Sequence, residues 1–195
     1  MDETLNAVLK ELEQFGNEND AHSTNRAEKM LNITPDTGAF LALLIRALKV
    51  RRVLEIGTSN GYSTLWLADA VRPFSGKIVT VEQSPAKAEM ARVNFARAGL
   101  AAGIQQHLTD AGSFLKKQAP ASFDFVFLDS ERGEYVGWWP DLQRVLVPGG
   151  MMVVDNAVSH ANEVKEFTDL VRATYSYMTA LVPVGNGEFL VLKEG

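Results

Sequence analysis

The chain reads as an α/β protein of the Rossmann-like, doubly wound kind, with a seven-stranded, mostly parallel sheet, a C-terminal antiparallel hairpin and an N-terminal helical extension. Three observations predict this. From residue 51 onward, short apolar runs alternate with segments of helical periodicity, the pattern of βαβ units. The first run leads into a glycine turn, Gly57-Thr58-Ser59-Asn60-Gly61, that opens a helix. The tail YSYMTALVPVGNGEFLVLK holds two extended segments joined through Gly185-Asn186-Gly187, a hairpin signal that sets an antiparallel strand into the otherwise parallel sheet.

At 195 residues, with no internal repeat and no Pro/Gly/Ser-rich linker, one domain over 1–195 is expected, with 1–33 as its helical extension. Leu5, Val8, Leu9 and Leu12 recur at helical spacing over 3–14, the polar stretch GNENDAHS reads as a break, and a second short helix is expected around 24–31. An amphipathic extension needs a surface to cover, which points to a homodimer built through these helices. Thr34-Pro35-Asp36 is a helix start, with Pro in the first turn and Asp at the positive end of the dipole, and GAFLALLIRALKV behind it is apolar enough to be buried. Strands follow at 52–57, 78–82, 104–109, 123–129 and 150–155, with helices at about 62–71, 84–98, 111–118, 137–146 and 161–172.

Hydrophobic residues make up 46% and charged residues 22%, and no apolar run reaches the roughly 18 residues of a membrane span. No membrane partner is expected. The start, MDETLNAVLKELEQF, lacks the basic and then apolar pattern of a secretory signal, and Cys is absent, so a cytoplasmic location is expected. Absence of Cys also removes disulfides, thiolate zinc and a Cys nucleophile, leaving carboxylate and imidazole chemistry. A net charge of −5 argues against a broad nucleic-acid footprint, though a local basic patch stays open.

In an open α/β sheet, ligands bind beyond the carboxyl ends of the strands, and here those ends are acidic. Glu55 stands before the turn, whose G-x-x-x-G spacing is not the G-x-G-x-x-G of a dinucleotide site. A carboxylate there suits a ligand carrying an ammonium and a sulfonium, which favours S-adenosylmethionine, although a ligand-free tight turn has the same residues. Glu82 ends the second strand 25 positions past Gly57, where a carboxylate can take both ribose hydroxyls, and Asp110 ends the third, where it can accept from an adenine amine. Each alone is equally an N-cap. Together with Glu55 they form a line along one edge.

The fourth and fifth strands end in Asp129 and Asp155-Asn156. Neighbouring buried carboxylates need a cation, a proton or a basic partner, and oxygen-only ligands point to Mg²⁺, with Ca²⁺ or Mn²⁺ as other hard cations. A loop cap and a turn explain the same residues, so both readings stand at this point. His160 follows at a helix start, as a capping residue or as a base beside the cation. Trp138 and Trp139 either wall an aromatic acceptor pocket or pack in the core.

From about Met30 to its end the chain resembles the catechol and caffeoyl-CoA type of O-methyltransferase, above all its small bacterial members. The resemblance rests on NITPDTGAFLALLIRALKVRRVLEIGTSNGYSTLWLA, FDFVFLD and PGGMMVVDN, in the family's order and at about its spacing. It implies a site for S-adenosylmethionine made of Glu55, Gly57, Ser59, Gly61, Ser63, Glu82, Gln83, Asp110, Ala111 and Asp129, and a divalent cation on Asp129, Asp155 and Asn156. The family commonly carries a lysine base three positions after the first metal aspartate, and here that position is Arg132. A guanidinium stays protonated, so Arg132 is expected to hold an anionic acceptor or stabilise a phenolate, leaving the proton to His160, to Asp129 or to solvent. The expected reaction is methyl transfer to the hydroxyl of a small, aromatic acceptor. Its rivals are methylation of a hydroxylated tRNA base, a catalytically idle nucleoside-binding protein, and a nicotinamide dehydrogenase, the last weakened by the missing glycine motif.

Overall fold

Helix starts readable in the sequence are the ones the chain uses, because each supplies an acceptor for free backbone N–H groups. Asp2, Thr34, Ser84 and Asp110 cap four helices, their side chains accepting from the amides of Leu5, Thr37, Lys87 and Ser113. In this computed structural model, which describes residues 2–195, the helices are α1 (Glu3–His22), α2 (Pro35–Leu48), α3 (Tyr62–Val71), α4 (Pro85–Arg97), α5 (Ala111–Lys117), α6 (Tyr135–Val145) and α7 (Ala161–Ala173). The strands are β1 (Arg52–Ile56), β2 (Lys77–Glu82), β3 (Ile104–Leu108), β4 (Phe123–Leu128), β5 (Leu146–Val154), β6 (Tyr177–Val182) and β7 (Glu188–Lys193).

The strands form one seven-stranded sheet in the order β3-β2-β1-β4-β5-β7-β6. Pairing is parallel from β3 through β5, and β7 runs antiparallel between β5 and β6, as the hairpin signal predicted. Alternation along the strands feeds two cores. Val53, Ile78, Phe125, Phe127 and Val153 pack on one face with Leu41 and Ile45 of α2, Leu65 and Leu67 of α3, and Phe95 of α4. Leu54, Ile56, Val81, Val126, Leu128 and Met152 pack on the other with Phe114 of α5, Trp139 and Leu142 of α6, and Phe167 of α7. The order in which successive strands are laid down reverses between β1 and β4 while their direction does not, so the ends of β1, β2, β4 and β5 meet at one crevice.

Expectations about the first helices need correction. The stretch GNENDAHS does not end α1, which runs on to His22 because its polar side chains are used: Asp20 accepts from the amides of Met30 and Leu31 at 2.7 and 2.8 Å, and Asn19 Nδ2 donates to Glu28 O at 3.0 Å. The same bonds leave only a short 3₁₀ turn, Arg26–Glu28, where a helix over 24–31 was expected, and Leu31 turns left-handed at φ 51°. Helix α2 is buried only along Thr37, Gly38, Leu41 and Ile45, while Leu43 on its outer face is 63% exposed. The extension covers its own chain, since Leu5, Val8, Leu9 and Leu12 enter the first core, so α1 gives no reason for a dimer. Among the described residues no helix is long and apolar enough to cross a membrane.

Candidate active site

The crevice begins at the glycine turn after β1. Gly57 has φ +106°, and a Cβ there would lie 1.9 Å from Asp129 O, so only glycine lets the ends of β1 and β4 approach this closely. Gly61, with φ +89°, has the Phe95 ring where a side chain would go. Between them Ser59 donates its amide to Glu82 Oε2 at 2.9 Å and its hydroxyl to Met30 O at 2.7 Å, tying the turn to β2 and to the segment before α2.

Glu55 lies under this turn with no exposure. Its carboxylate accepts from Ser63 Oγ at 2.6 Å, Thr64 Oγ1 at 2.5 Å and Thr80 Oγ1 at 2.6 Å. Burial pushes its pKa up to about 7, against the lowering effect of those three hydroxyls. Glu82 is fixed by amides: besides Ser59, those of Gln83 and Ser84 donate to its Oε1 at 3.0 and 2.8 Å. Gln83 itself is exposed, and Ser84, not Glu82, caps α4. Asp110 caps α5 and is exposed, with its pKa lowered chiefly by the Ser113 amide; Ala111 next to it packs partly into the second core. Trp138 covers this end, its Nε1 3.0 Å from where a Gly112 Cβ would be. Trp139 is a core residue, its ring packed against Phe167 and Tyr177. Trp138 thus lies over the start of α5, and Trp139 is used for packing.

At the other half of the crevice Asp129 and Asp155 extend the β-ladder, their amides donating to Ile56 O at 3.1 Å and Leu128 O at 3.0 Å. Asn156, left-handed at φ 65°, sends Nδ2 to Asp155 Oδ2 at 2.6 Å and toward Asp129 Oδ1 at 3.4 Å. Burial first, and the neighbouring Asp155 second, hold the Asp129 carboxyl well above the usual range; burial also raises Asp155. Asp155 also hydrogen-bonds the Glu188 carboxyl, which carries the proton between them. The donor set fits a hard divalent cation once the amide turns its oxygen inward, since oxygen ligands and unrelieved negative charge are what such an ion needs. The amide is essential to that set, because among the described residues no group of three or more His, Cys, Asp or Glu is arranged for a metal.

Arg132 is 7% exposed and donates Nη1 to Glu163 Oε2 of α7 at 3.0 Å. His160 takes the N-cap position of α7 without a side-chain capping bond; its Nδ1 meets Ser159 Oγ at 2.9 Å, and that hydroxyl also donates to Asn156 Oδ1 at 3.2 Å. One buried group was missed from the sequence. Glu188 opens β7 with no exposure, accepts from Thr37 Oγ1 at 3.0 Å and hydrogen-bonds the Asp155 carboxyl. Burial and then Asp155 push its pKa up to about 10. An acid heading the apolar run EFLVL was the signal available.

The crevice thus combines acidic strand ends around a glycine turn, a helix opening behind that turn, and an oxygen-rich cluster at the ends of β4 and β5. The chain belongs to the O-methyltransferase family, whose model matches residues 3–193. It is 39% identical over 137 residues to a catechol O-methyltransferase of Mycobacterium tuberculosis, a match covering 70% of this chain and 62% of that relative's length. Among solved structures it resembles cofactor-bound Rv0187 from MTB (TM-score 0.81, 30% identity, covering 100% of this chain and 92% of that one). It also resembles TomG from Streptomyces achromogenes, an O-methyltransferase of tomaymycin synthesis solved with S-adenosylmethionine (TM-score 0.79, 29% identity, covering 100% and 91%).

Proposed function

We propose that the protein is an S-adenosylmethionine-dependent O-methyltransferase that acts on the hydroxyl of a small aromatic acceptor held on a divalent cation, Mg²⁺ by preference. The observation that carries this reading is the convergence of two carboxyls and an amide, Asp129, Asp155 and Asn156, beside the glycine turn. Glu82 and Asp110 suit the ribose and adenine ends of the cofactor, and Gly57, Ser59, Gly61 and Ser63 suit its methionine end. Gln83 and Ala111 continue the backbone past the two acids. Bound at the trio, the cation would lower the pKa of the acceptor hydroxyl, and the cofactor would supply the methyl group.

The protein's part is to position the acceptor oxygen in line with the methyl, to keep that region free of competing side chains, and to remove one proton. Arg132 cannot take that proton, since guanidinium does not titrate in the working range. His160 is the proposed base: with the Ser159 hydroxyl donating to Asn156, the imidazole donates from Nδ1 to Ser159 Oγ and leaves Nε2 to take the proton. Self-association, expected from the sequence, has its support in the uncovered outer face of α2, where Leu43 is exposed, rather than in α1.

Calorimetric titration separates this reading from a dehydrogenase: S-adenosylmethionine is expected to bind at micromolar concentration and NAD not to bind. A methyl-transfer screen over catechols, flavonoids and tRNA then tests the acceptor class. Tight NAD binding without S-adenosylmethionine binding would refute the proposal.

A further inference from the structure

Arg132 has a side left over. A guanidinium carries five N–H groups in a planar fork, and here Nη1 is used by Glu163 while Nε and Nη2 have no hydrogen-bond partner among the described residues. That Nε–Nη2 edge is the one that takes a carboxylate with two parallel bonds. The side chain is more than nine-tenths buried, yet this edge is not sealed in the interior and stays open to a ligand. Arg132 stands three residues past Asp129, and its ion pair ties it to Glu163 in the first turn of α7, the helix that His160 opens, so the guanidinium lies at the Asp129 side of the crevice. A lysine that serves as base gives up its charge, whereas Arg132 keeps its charge throughout, so an anionic group beside it stays paired from binding to release.

We propose that the preferred acceptor carries a carboxylate next to the hydroxyl that is methylated, and that the free Nε–Nη2 edge of Arg132 binds this carboxylate. The inference rests on the methyltransferase reading above and narrows its substrate class to hydroxyaryl carboxylates. Arg132 then acts as a specificity residue: the buried cation selects for the anion, and an uncharged isostere leaves the edge unpaired.

The test compares 2-hydroxybenzoate with 2-hydroxybenzamide, which keeps ring and hydroxyl and lacks the charge, by calorimetry on the protein saturated with S-adenosylhomocysteine and Mg²⁺. The parent is expected to bind the benzoate at least tenfold more tightly. That preference should fall to a few-fold in Arg132→Lys, which keeps the charge and loses the fork, and vanish in Arg132→Gln. Equal binding of both probes by a parent that holds S-adenosylhomocysteine and Mg²⁺ would overturn this inference and leave the methyltransferase reading standing. A preference that survives intact in Arg132→Gln would overturn it too, because the cation or another group would then be reading the anion. Failure of the parent to bind S-adenosylhomocysteine would count against the methyltransferase reading itself.

Discussion

The two halves of the crevice are built on opposite terms. Around β1, β2 and β3 every key carboxylate is satisfied by the protein: Glu55 by three hydroxyls, Glu82 by three amides, Asp110 by the helix it caps. Around β4, β5 and β7 the acids face one another: Asp129 and Asp155 add to each other's local negative charge, and Asp155 is bonded to Glu188 only through the proton that Glu188 keeps. Clustered buried carboxyls need a proton or a cation to relieve them, so the first half is a preorganised cradle and the second depends on what relieves its charge. On the proposed reading, binding belongs to the first half and chemistry to the second.

Four experiments would break or sharpen that division. The largest effect belongs to the second half: Asp155→Ala should weaken Mg²⁺ binding by at least about a hundredfold, with turnover falling in step, while S-adenosylmethionine still binds as in the parent. Loss of cofactor affinity instead would mean that the halves are not separable. His160→Ala should lower turnover by about a hundredfold and remove the acid limb of the pH–rate profile. An unchanged profile would leave proton removal to the metal-acidified acceptor alone.

In the preorganised half, Glu82→Ala should weaken S-adenosylmethionine by tens-fold, on the order of 2–3 kcal/mol for a charge-assisted contact to the ribose, without touching Mg²⁺ affinity. Equal affinity in variant and parent would remove the ribose assignment. The smallest effect is on stability. Glu188, with its pKa raised from 4.5 to about 10, is protonated in the fold and ionises in the unfolded chain, so the metal-free protein should lose stability as pH rises from about 4.5 toward 10. Glu55, raised to about 7, adds a loss of the same sign between 4.5 and 7. Glu188→Gln should therefore match the parent in urea melts near pH 4 and exceed it near pH 8, the gap widening by about 1.4 kcal/mol per pH unit at most. A gap that is constant with pH would contradict a protonated Glu188.

The sheet and its order of elements were legible because each rests on local signals: period, caps and glycine turns. The strand-end acids Glu55, Glu82, Asp110, Asp129 and Asp155 were legible for the same reason, since a parallel sheet brings strand ends together whatever the loops do. What was not legible came from contacts distant in sequence. Asp20 bonds amides ten and eleven residues on, which lengthened α1 and dissolved the second helix. Glu188 reaches Thr37 across 151 positions, a distance at which no periodicity speaks. The buried environment of Arg132 is likewise set by Glu163 of α7, although the substitution of arginine for the family's lysine was plain from the sequence.

The division of labour is tested most directly by methyl transfer from S-adenosylmethionine to a catechol-type acceptor, in excess chelator and again after Mg²⁺ is restored, with cofactor binding followed in the same samples. The account predicts that chelator abolishes transfer, that Mg²⁺ restores it, and that cofactor affinity changes little between the two. Full transfer in excess chelator would contradict it, because Asp129 and Asp155 would then work without the cation proposed for them.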